Sequence, residues 1–133
     1  MSVLDRIYEK AKLDPQRVVF PEALNEKMMQ AAFEAGKEGY IKPILIGNEA
    51  AIKEAIKERG YEEVFKIVDI EEESYKAELI QKYIALPTTR LKEKALGRRM
   101  KDALQYAMVM QAVEDADVVS VDIEEVIANE DAE

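Results

Sequence analysis

The chain contains no cysteine and no histidine. Without cysteine there is no disulfide, no thiol nucleophile and no thiolate metal site. Without histidine the commonest general base near neutral pH and the commonest zinc ligand are both gone. No apolar run approaches the ~20 residues that a membrane-spanning helix needs. The five glycines are scattered, so neither a Walker A loop nor a dinucleotide fingerprint can be written on them. Basic residues are also short, 19 against 28 acids, and the net charge is −9. Nucleic acid and anionic membrane surfaces reward Lys and Arg, so neither is expected as a partner. The opening MSVLDRIYEKAK mixes charges along an amphipathic segment, and no secretory signal is expected. A soluble, cytoplasmic protein follows as the expectation.

What is present suits one domain. The chain has 133 residues, 48% of them apolar, enough for one hydrophobic core and against global disorder. Residues 2–12 have helical spacing at Val3, Leu4, Ile7, Tyr8 and Ala11, with Ser2 as a cap. Pro15 breaks that pattern. Val18–Phe20 read as a short buried strand, followed by a helix with Leu24, Met28, Ala31, Ala32 and Ala35 on one face, ending near Gly36 or Gly39. YIKPILIG is a second strand, and Pro43 near its start suggests an edge. Asn48 caps a helix with Ile52, Ala55 and Ile56 inward, closed by Gly60. FKIVDI is a third strand, and Tyr75, Leu79, Ile80 and Tyr83 mark the next helix. Thr88 or Thr89 can cap a helix running toward Gly97, and Asp102 a further one carrying Leu104, Ala107, Met108 and Ala112. ADVVSVDI is a fourth strand. Alternation of this kind predicts a three-layer α/β/α domain, over residues 1–122, with a mostly parallel sheet of about four strands and right-handed crossovers. Residues 123–133 read as an acidic tail.

Ligands of open α/β sheets bind beyond the carboxyl ends of the strands. Those ends offer Pro21-Glu22-Ala23-Leu24-Asn25, Gly47-Asn48, Asp69 and Ser120-Val121-Asp122. Helix N-termini there favour anions. Asn48 is accounted for as a cap. Glu22, Asp69 and Asp122 are carboxylates of the kind a hard cation takes, but nothing in the sequence makes them converge, and no metal is expected. Ser120 has no histidine to activate it. Six basic residues and one acid lie between Arg90 and Lys101, and none is basic after that. A solvated helix face explains this run; the sharper reading is an anion-attracting surface at Arg90, Arg98 and Arg99. The methionines at 28, 29, 100, 108 and 110 read as adaptable core filling.

The opening LDRIYEKAKLDPQRVVFPEALNEKMMQAAFEAGKEGYIKPILIGNEAAIKEA resembles the start of phosphate acetyl- and butyryltransferases. In that family a first helix leads to a strand ending in VFPE, then an alanine-rich helix, then a strand of the form PILIGN. Further on, KDALQYAMVMQAVEDADVVSVD is similar to the family's helix and strand running into a VSG loop. The resemblance covers residues 3–121. It implies acyl exchange between CoA and phosphate, two α/β domains with the site in the cleft between them, dimerisation, and no metal in the chemical step. Coenzyme A would be a substrate rather than a bound cofactor. The family's catalytic arginine, serine and aspartate lie beyond the region matched here, so no residue of this chain takes a catalytic role. Pro21 and Glu22 carry over directly, and Asn25 and Ser120 complete the substrate-binding candidates. Two departures stand out. Ser120-Val121-Asp122 replaces VSG, which removes a permissive glycine and adds a charge that repels phosphate. Ala23 and Leu24 replace the glycine and acidic residues that follow FPE. The resemblance implies either a part of an acyltransferase that is completed by a homo-oligomer or a complementary chain, or a non-catalytic binding module derived from the same fold.

Overall fold

The computed structural model describes residues 3–87 and 91–121, apart from the side chains of Leu4 and Tyr8. Thr88, Thr89, Arg90, Asp122 and the acidic stretch 123–133 lie outside the described residues. Ten elements follow in order: α1 (Val3–Leu13), β1 (Gln16–Phe20), α2 (Glu26–Lys37), β2 (Ile41–Gly47), α3 (Glu49–Arg59), β3 (Lys66–Asp69), α4 (Glu73–Ile84), α5 (Glu93–Arg99), α6 (Ala103–Ala112) and β4 (Val118–Val119). The four strands form one parallel sheet in the order β3-β2-β1-β4. The expected α/β class and its three layers are present.

Strand alternation sorts the core. Val18, Phe20 and Leu45 turn to one face and pack with Met29 and Ala32 of α2 and Ile52 and Ile56 of α3. Val19, Ile44, Ile46 and Val68 turn to the other and meet α4, α5 and α6 through Leu79, Leu96, Tyr106 and Met110. The chain steps outward from β1 to β3 over one face, then returns past β1 to β4 over the other. One crossover handedness requires this switch of face when the direction of travel reverses. The sheet therefore changes direction between β1 and β4.

Several local expectations shift. Leu24 is not in the α2 face but in the preceding turn, 53% exposed, because the helix begins only at Glu26. The buried face of α2 is accordingly Met29 and Ala32. On α6 the buried residues are Tyr106, Ala107, Val109 and Met110, and Met108 is 52% exposed, so it is not core filling. Met29, Met100 and Met110 are. Helix α5 runs through Gly97 to Arg99 and its N-cap is Lys92, without a side-chain cap bond. Pro43 lies within an interior strand rather than on an edge. The β3 ladder starts at the Ile44–Lys66 pair, so Pro43 has a strand neighbour on the β1 side only, and its missing N–H interrupts nothing there.

The amino end of the sheet is pinned by Arg17. Its Nε and one terminal nitrogen donate to Asp117 at 3.2 and 3.1 Å, its backbone N–H donates to the same carboxylate at 2.8 Å, and it reaches the Glu114 carbonyl at 2.7 Å. This fastens β4 beside β1 across a separation of 100 residues.

Candidate functional site

The carboxyl ends of β1 and β2 enclose a cleft of about 470 Å³. One wall is the turn Pro21–Asn25; the other is Gly47 and Asn48; Ile46 and Ile52 form the floor. Both walls are fixed by caps. Asn25 Oδ1 accepts from the N–H groups of Lys27 and Met28 at 2.9 and 3.2 Å, while its own N–H donates to the Glu22 carbonyl at 3.0 Å. Asn48 Oδ1 accepts from Ala51 N–H at 2.9 Å. Gly47 ends β2 at φ +147°, a backbone angle that side chains disfavour, with the Ile52 side chain 3.5 Å from where a Cβ would stand. Pro21 and Ala23 are buried, Glu22 and Asn25 half-buried.

The structure thus brings Pro21, Glu22 and Asn25 together. Ser120 stands apart from that cleft on the far side of β1, where its N–H donates to the Val19 carbonyl at 2.9 Å and extends the β4 ladder. Arg98 and Arg99 are exposed in the last turn of α5, where cations complement the helix C-terminus. Neither lines the cleft. Arg90 lies outside the described residues.

Asp69 has a role that the sequence did not disclose. One carboxylate oxygen accepts from Glu71 N–H at 2.8 Å, and the other from Glu49 N–H at 3.2 Å, in the first turn of α3. The carboxylate sits where an external anion would otherwise meet that helix. Glu72 likewise caps α4 through Ser74 and Tyr75 N–H, and these bonds hold its carboxyl below the usual range. Asp102 caps α6. Among the described residues no group of three acids gathers to hold a metal ion. Tyr106 places a fully buried hydroxyl, without a hydrogen-bond partner among the described residues, near the charges of Glu72 and Asp69. Burial, with those charges, raises its pKa, so the phenol stays neutral. Spacing alone could not reveal this, because Tyr106 reads as an ordinary core residue.

Two separate comparisons bear on what such a rim belongs to. A family model described as "Phosphate acetyl/butaryl transferase" matches residues 2–124. The chain belongs to this family. A phosphate acetyltransferase of Acetivibrio thermocellus is 32% identical over 122 residues, covering 88% of this chain and 35% of that protein. Two solved structures share the fold: a phosphotransacetylase from Streptococcus pyogenes (TM-score 0.78, 18% identity, 90% of this chain and 37% of that one) and EutD phosphotransacetylase from Staphylococcus aureus (TM-score 0.76, 18% identity, 87% and 36%). The present chain spans about a third of the length of each of these relatives. The phosphate acyltransferase fold is therefore shared over the whole doubly wound unit.

Proposed function

We propose that the chain supplies one wall of an acyl-exchange site, acting on acetyl-CoA plus phosphate to give acetyl phosphate plus CoA, and that it is incomplete by itself. In the reverse direction the CoA thiolate attacks the acyl carbonyl, the acyl–oxygen bond breaks, and phosphate leaves. The observation that carries this reading is the family match across residues 2–124 in a chain that spans 35% of its curated relative. The wall is the cleft at Pro21, Glu22 and Asn25. Coenzyme A enters as substrate, and the opposing wall comes from a complementary chain or a second copy. This reading expects a cytoplasmic protein. It is supported by the exposed apolar residues Val3, Ile7 and Leu13 on α1 and Val118 on β4, surface of the kind a partner covers.

A second reading, a non-catalytic binding module on the same fold, is favoured by one observation. The rim carries Glu22, Asp69 and Glu72, and the N-termini of α2, α3 and α4 are already capped by the chain's own side chains. Such a rim repels phosphate. CoA-dependent arsenolysis of acetyl phosphate separates the two. No turnover alone, but turnover on adding a polypeptide matching the remaining two thirds of the Acetivibrio relative, supports the first. Silence in both assays leaves the binding module.

A further inference from the structure

The amino end of the sheet carries a second polar concavity, opposite the cleft. Arg17 and Lys42 are direct register partners on β1 and β2, and Lys66 of β3 pairs with Ile44, two residues further on. Side chains alternate along strands, so all three cations share the face of Val19, Ile44 and Val68. With strands about 4.8 Å apart, they stand within roughly 10 Å of one another. All three line one cavity of about 610 Å³, whose acids are Glu63 and Asp115.

The neighbouring acids do not cancel this row. Asp117 is taken up by Arg17. Asp115 accepts from the Tyr75 hydroxyl at 2.8 Å and pairs with Lys82 at 3.3 Å. Among the described residues, Lys42 and Lys66 form no ion pair. Glu63 alone is left to oppose them. Like charges side by side on adjacent strands disfavour a sheet, and here they gather in a chain of net charge −9. A bound anion would remove that repulsion. A single phosphoryl group meets one ammonium well. Two linked phosphoryl groups match two ammoniums on different strands, offset by two residues.

We propose that this amino-end cavity binds a small anion of the diphosphate class, held by Lys42 and Lys66 with Arg17 completing the positive cluster. The site is independent of the acyl-exchange reading. The test is a ¹⁵N-edited NMR titration of the full chain with inorganic pyrophosphate, in low salt without magnesium, with ADP as a second arm. Saturable shifts centred on residues 17, 42 and 66 are expected. Lys42→Ala and Lys66→Ala should each weaken binding about tenfold, and Glu63→Gln should tighten it. Both lysines are exposed, so these variants keep the fold, as their amide dispersion will show. ADP competing at the same residues identifies a nucleotide diphosphate as a source; binding of pyrophosphate alone identifies the free anion. Both results support the site. Absence of saturable shifts, shifts unchanged in the double lysine variant, or shifts centred on residues 21–25 and 47–48 would overturn it.

Discussion

Asn25 closes the turn after β1 and starts α2 with the same side chain, so the cleft wall and the helix stand or fall together. Asn25→Ala should cost about 1 kcal/mol in urea unfolding, the ordinary worth of a cap; a loss below a few tenths would show that the turn holds itself. At the other end of the sheet, the side-chain and backbone N–H bonds of Arg17 hold the Asp117 carboxyl below the usual carboxylate range. A carboxyl depressed in the fold contributes stability above its unfolded value of about 4 and loses it as pH falls through the folded value. Stability should therefore decline below about pH 4, and Arg17→Met should flatten that part of the profile, read as unfolding midpoint against pH. An unchanged acid limb in the variant would remove the Arg17–Asp117 pair from the explanation. Neither pairing is visible from spacing: Asn25 advertises a cap by residue type alone, whereas Arg17 and Asp117 meet only because β4 returns beside β1.

Elements of this chain were legible wherever apolar periodicity and a cap coincided. Asn48 and Gly60 bracket α3, with Gly60 in the left-handed conformation the pattern required. Asp102 starts α6 as its position promised. Faces were less legible than elements. The apolar residues of α6 surround it, with Tyr106, Ala107, Val109 and Met110 buried and Met108 out, and a sequence apolar on several sides cannot say which stays wet. The position of β2 was also hidden, because Pro43 signals an edge and only the shorter reach of β3 makes an interior strand tolerate it. Helix α2 docks closely on that strand: a Cβ on Gly36 would stand 2.8 Å from the Pro43 ring and 3.3 Å from Val64. Gly36→Ala should destabilise the fold by about 1–3 kcal/mol, as overpacking does, despite alanine's better helix propensity. A neutral or stabilising result in chemical denaturation would mean that α2 shifts at little cost.

At the scale of the whole molecule, the doubly wound order and the family were both open to the sequence, because VFPE and PILIGN sit at strand ends that the fold must use. The site was legible in part. Pro21, Glu22 and Asn25 gather at one cleft because they are consecutive in one turn. Ser120 and the arginines of α5 were grouped with them by chemistry alone, and the topology sends them elsewhere. The self-capping of the rim by Asp69 depends on β3 lying next to the start of α3, a contact no local pattern records. One wall of a pocket, crowded with its own acids, lacks the groups to perform acyl exchange. The most direct measurement is CoA-dependent arsenolysis of acetyl phosphate by the purified chain on its own. Loss of acetyl phosphate no faster than in buffer is the outcome predicted here; sustained turnover proportional to the concentration of this chain would contradict it.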